Sequence, residues 1–159
     1  MTLPINAAVV DSSALMCIVK NEPAAPLFLK ELSAVNDLYI SAVTLSEVLL
    51  AAMSVTGPDV LAPMRKLISS LQMNTVDYCA ADVDEYMKAA AVHHLKAQPP
   101  GLLNLGDVFS FQLAQKMDMP LFFQGLDFLS TPVKNAMALR GYTMDASNKG
   151  VPTEKPSIS

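Results

Sequence analysis

Charge is scarce in this 159-residue chain: 16% of its residues are Asp, Glu, Lys or Arg, and 52% are hydrophobic. No apolar run reaches the roughly 20 residues a membrane span needs, so no span is expected. The first residues, Met1-Thr2-Leu3-Pro4-Ile5-Asn6, lack a basic stretch ahead of an apolar one, so no signal peptide is read there. Cysteine is nearly absent. Cys17 and Cys79 have neither redox nor metal spacing and read as buried free thiols of a reducing cytoplasm. The two histidines, His93 and His94, are adjacent; on a helix they point about 100° apart and cannot chelate together. Basic excess is also missing, since 11 Lys and Arg face 15 Asp and Glu for a net charge of −4. That argues against broad electrostatic binding of nucleic acid. It does not exclude an enzyme that grips phosphates through a metal.

What is present is apolar, with a mean hydropathy of +0.33. A chain of this length fits one domain with a real core. Its hydropathy calls for a sheet covered on both faces or an interface. Strands are expected over 6–10, 38–42, 74–78 and 120–123. Helices are expected over 14–20, 23–33, 44–54, 59–71, 80–97, 105–117 and 133–140. Short apolar strands alternating with helices predict an α/β domain with a mainly parallel sheet. The domain is placed at 1–140, and the polar segment 141–159 is expected to be a loose tail.

Against this background four acids interrupt apolar segments: Asp11, Glu47, Asp107 and Asp127. Each has a bland reading. Asp11 can N-cap the helix after the first strand. Thr44-Leu45-Ser46-Glu47 has the spacing of a capping box, and Asn104-Leu105-Gly106-Asp107 mimics it. Asp127 can serve the turn after Gly125. Their common placement is harder to explain that way. Asp11 and Asp127 fall at or just beyond the carboxyl ends of expected strands, and Glu47 falls early in the helix after one, where ligands bind in open α/β sheets. Carboxylates about 4 Å apart repel by roughly 4 kcal/mol per pair at an effective dielectric of about 20. A cation relieves that cost, and an all-oxygen set suits Mg²⁺ or Mn²⁺.

The residues around these acids resemble the PIN-domain nucleases, and most closely the VapC-type toxins of toxin–antitoxin pairs. The likeness rests on Val10-Asp11-Ser12-Ser13-Ala14-Leu15, on the stretch from Ile40 to Glu47, on Leu103 to Ala114, and on Pro120 to Phe128. It implies a three-layer α/β/α domain with a four- or five-stranded, mainly parallel sheet. It implies a catalytic and metal-binding set of Asp11, Glu47, Asp107 and Asp127, with Ser13 hydrogen-bonded beside the first acid. Asp11 and Asp107 would be direct ligands, Glu47 a direct or water-mediated one, and Asp127 a weaker second site or a water-orienting group. The implied activity is Mg²⁺- or Mn²⁺-dependent endonucleolytic cutting of RNA by metal-activated water, in the cytoplasm. The implied partners are an antitoxin protein and a second copy of the chain, with the apolar helices 23–33 and 44–72 as surfaces. The chain departs from the family pattern at Gln124, Leu126, Pro132 and Pro99-Pro100-Gly101. The alternative is a catalytically weak PIN-like module that binds RNA or protein. A phosphatase of the DxD type is disfavoured, because the position two residues after Asp11 is Ser13.

Overall fold

In the chain's structure, a computed structural model, residues 4–98, 101–145 and 150–154 are described. Residues 1–3, Pro99, Pro100, 146–149 and 155–159 lie outside that set. The centre is β1, Ala7–Val10, which runs parallel to β2, Asp37–Ser41. On its other side β1 pairs with β4, Leu121–Phe122, and β2 pairs with β3, Asn74–Val76. All four strands are parallel, in the order β3-β2-β1-β4. Parallel neighbours require crossovers, and helices supply them.

Between β1 and β2 come α1, Ser12–Val19, and α2, Ala25–Ser33. Between β2 and β3 come α3, Ala42–Thr56, and α4, Leu61–Ser70, joined by a 3₁₀ turn at Pro58–Val60. The third crossover holds α5, Val83–Ala90, and α6, Leu105–Met117. The single helix expected over 80–97 is three pieces: a 3₁₀ turn at Ala80–Asp82, α5, and a π turn at Ala91–Leu95. The last helix, α7, is only Ala136–Leu139, because the Asn135 side chain caps it by accepting from Ala138 N at 3.1 Å.

Period-two alternation divides the strand side chains between two cores. Ala8, Val10, Leu38, Ile40 and Phe122 face one core with Leu15, Phe28, Leu32, Val48 and Met64 of the first four helices. Val9, Leu121 and Phe123 face the other, with Val108, Phe111 and Leu113 of α6. Both faces are covered, as a parallel sheet demands, and the three-layer α/β/α expectation holds.

The segment after Gly141 departs from the loose tail expected of it. Strands β5, Tyr142–Asp145, and β6, Val151–Glu154, pair antiparallel as a hairpin. Tyr142 is buried, and its hydroxyl donates to Oε1 of buried Glu31 at 2.8 Å. Arg140 Nε donates to Oε2 of the same carboxylate at 2.5 Å. Met144 and Val151 pack on the first core. The polar average of the segment concealed an alternating in–out pattern, Tyr142 in and Thr143 out. Cys17 is buried as expected, but Cys79 is exposed. It stands just ahead of the 3₁₀ turn, where its backbone N–H donates to Asp82 Oδ2 at 2.9 Å.

Candidate functional site

Parallel strands place all their carboxyl ends on one edge. Asp11 follows β1 there as the N-cap of α1. It is 1% exposed, and its Oδ2 accepts from Ser13 N at 2.9 Å and from the Ser13 hydroxyl at 2.6 Å. The same hydroxyl accepts from Gln124 N at 3.0 Å, so Ser13 ties the first acid to the loop after β4. The other oxygen, Asp11 Oδ1, is buried with no partner in the protein.

Glu47 lies in the second turn of α3. The N-cap of α3 is Ser41, whose hydroxyl oxygen accepts from Val43 N at 3.3 Å, so the capping box read at Thr44 and Glu47 does not form. Thr44 is instead buried, with its hydroxyl 3.2 Å from that of Ser110 on α6. The freed Glu47 carboxylate lies against the first turn of α6. A Cβ on Gly106 would stand 2.6 Å from Glu47 Oε1 and 2.7 Å from Oε2, so only glycine admits the carboxylate there. Glu47 Oε2 is buried and unpartnered. Burial pushes the Glu47 carboxyl above its ordinary range, as does the charge of Asp11, against a lowering hydrogen bond from Ser12.

Asp107 takes both of its readings. Its amide donates to Asn104 Oδ1 at 2.8 Å, and its Oδ2 accepts from Asn104 N at 2.9 Å, a complete capping box. The same carboxyl, 7% exposed, is pushed up to about 7, by burial first and then by Asp11. Asp127 and Glu47 add to that push, while the Asn104 amide opposes it. Asp127 is exposed in the bend after Gly125, and its carboxyl is raised by partial burial and by Asp11. Each of the other three acids therefore responds to the charge of Asp11. Among the described residues no three His, Cys, Asp or Glu side chains already form a metal-ligand cluster. Like charges with nothing between them give no reason to close up.

The basic candidates are otherwise engaged. Arg140 holds Glu31, and Lys134 Nζ is 2.7 Å from Asp118 Oδ1. His93 packs on Phe111 with the rings tilted 55° and their centroids 4.6 Å apart, and His94 Nδ1 lies 2.7 Å from Leu103 O. Sequence reading missed Gly106 and Ser12, and marked Gln124 only as a departure from the family pattern. Gly106 carried a signal, since glycine weakens a helix and is kept where a close approach needs it. Gln124 gave none. Its Nε2 donates to Glu22 Oε2 at 2.6 Å, a contact formed across 102 residues.

The fold and this edge define an α/β/α protein with an acidic site at the carboxyl ends of a parallel sheet. The family model of the PIN domain matches residues 8–134, and the chain belongs to that family. It is similar to ribonuclease VapC30 of Mycobacterium tuberculosis, 31% identical over 127 residues, which are 79% of this chain and 95% of that one. The crystal structure of M. tuberculosis VapC20, described as a Sarcin-Ricin loop cleaving toxin, shares the fold with a TM-score of 0.66 at 13% identity. That match covers 79% of this chain and 95% of that one. The DNA-bound VapBC of Salmonella typhimurium matches with a TM-score of 0.62 at 19% identity, over 82% of this chain and 96% of that one.

Proposed function

We propose that this chain is a VapC-type ribonuclease toxin that cuts RNA with Mg²⁺ or Mn²⁺ held by Asp11, Glu47 and Asp107, with Asp127 at the rim. The observation that carries the reading is the pair of buried, unpartnered carboxylate oxygens, Asp11 Oδ1 and Glu47 Oε2, beside an Asp107 carboxyl pushed up to about 7. Buried acids are costly unless paired or bound to a cation, and among the described residues no basic side chain pairs with any of these three. The donors are all carboxylate oxygens and fit a hard divalent ion. When bound, such an ion lowers the pKa of water and stabilises charge on a phosphate.

The chain's own residues prepare the place. The Ser13 N–H and hydroxyl fix Oδ2 of Asp11 and leave Oδ1 as the free ligand atom. Asn104 fixes Oδ2 of Asp107. The missing Cβ at Gly106 lets the Glu47 carboxylate sit against α6. Asp127, the most exposed of the four, is suited to orienting water or a weaker second ion.

The nuclease name of VapC30 supports RNA as the substrate, and the VapBC complex supports an antitoxin partner. The reading includes a homodimer and a cytoplasmic location. No helix among the described residues is long and apolar enough to cross a membrane. The expected partner surfaces keep Leu29, Leu50 and Val55 exposed, and a further row runs through Val83, Met87, Val92 and Leu95. The second reading is a PIN-like module that binds RNA or protein without cutting, and the departures from the family pattern at Gln124 and Leu126, close to Asp127, favour it. One assay decides between them. Asp11→Asn should abolish RNA cleavage in Mg²⁺ or Mn²⁺ while leaving the fold intact, with the wild type silenced by chelator. An undiminished rate in the variant overturns the site assignment.

A further inference from the structure

We infer that the C-terminal hairpin is a working part of the acidic site: through Gly150 it clamps the Gly125 turn and so holds Asp127 in place. The inference rests on the acidic site proposed above and assigns it a positioning element that lies beyond residues 8–134, where the PIN match ends. Gly125 N donates to Gly150 O at 3.3 Å, and Gly150 N donates back within the hairpin to Asp145 O at 2.7 Å. The two glycines meet backbone to backbone. A Cβ on Gly150 would stand 2.4 Å from the carbonyl carbon and oxygen of Gly125. Both have positive φ, +112° at Gly125 and +71° at Gly150, so the backbone alone makes this contact.

The turn is thereby held by two consecutive amides. Gln124 N goes to Ser13, whose hydroxyl goes to Asp11, and Gly125 N goes to the hairpin. Asp127 follows two residues later. The far end of the hairpin is anchored by Tyr142, which shares buried Glu31 of α2 with Arg140. A tail that only covered the core would not need a bare backbone contact at the turn that carries Asp127.

The test uses the full chain with Gly150→Ala, each variant made also in an Asp127→Asn background. A second variant, T143A with T153A, removes the exposed hydroxyl pair 3.0 Å apart across the hairpin and leaves Gly150 untouched. Amide hydrogen exchange at Gly125 is followed in cation-free protein, Mn²⁺ affinity by calorimetry, and RNA cleavage separately. Gly150→Ala is expected to speed Gly125 exchange at least about tenfold with β1 amides unchanged, and to weaken Mn²⁺ binding by about tenfold. With Asn at 127 the same change should cost nothing more, since coupled residues are not additive. Unchanged exchange at Gly125, or an equal loss in both backgrounds, overturns the inference. If Gly150→Ala does not fold, the threonine pair decides by the same criteria. If the wild type neither binds Mn²⁺ nor cuts RNA, the nuclease reading falls, and exchange at Gly125 still decides whether the hairpin holds the turn.

Discussion

Asp107 does two things at the head of α6. It completes a capping box with Asn104, and it faces the other acids with a carboxyl pushed up to about 7. A carboxyl whose folded pKa lies above its unfolded value of about 3.9 favours the fold while protonated. That contribution is complete below about pH 4 and is lost as pH rises through about 7. Cation-free protein should therefore melt at lower temperature at pH 8 than at pH 5. Asp107→Asn keeps an oxygen for the Asn104 amide and removes the charge. It should flatten that slope and raise the cation-free Tm at pH 8, by about 2–4 °C per kcal/mol recovered, while losing divalent-ion affinity in calorimetry. Gly106 is the opposite case. Ala is the better helix former by roughly 0.5–1 kcal/mol, yet its Cβ would fall 2.6 Å from the Glu47 carboxylate. Gly106→Ala should leave the fold standing and cut Mn²⁺ affinity about tenfold or more; an unchanged isotherm would remove Glu47 from the ligand set.

At the scale of elements, local grammar was legible where both partners sit within one turn. The box at Asn104 and Asp107 formed as read, and so did the Asp11 cap. The equally good pattern at Thr44 and Glu47 did not, because β2 runs to Ser41 and hands the cap to that residue one turn earlier. The hairpin was illegible for a different reason. Four-residue strands of mixed polarity average out as tail, and the group that anchors them, Glu31, is more than a hundred residues away. Glu31→Ala leaves Tyr142 and Arg140 without their shared acceptor and should cost about 1–3 kcal/mol. A urea midpoint lowered accordingly, together with faster exchange in β5, would bear this out. An unchanged midpoint would mean that the hairpin hangs free of the fold.

Over the whole molecule, two cores hold one sheet and leave its carboxyl edge to four acids. The site is where the fold spends stability, so a bound cation should return it. At free Mg²⁺ about 100 times its Kd, linkage adds about 2.7 kcal/mol, roughly 5–10 °C for a chain of this size. Melting in Mg²⁺ against EDTA measures it, and no shift at millimolar Mg²⁺ would count against an assembled site. The sequence by itself determined the class of fold, through buried strand runs and helical periods, and it determined which acids stand apart from solvating charge. Those are local properties, set by side-chain chemistry and spacing along a few turns. Only the tertiary structure decided which acids keep an unsatisfied oxygen, that Gly106 makes room for Glu47, and that a polar tail folds back onto the turn before Asp127. These depend on contacts between residues tens to more than a hundred positions apart. The closure that forms them is driven by the packing of both cores together, and no short window of sequence carries it.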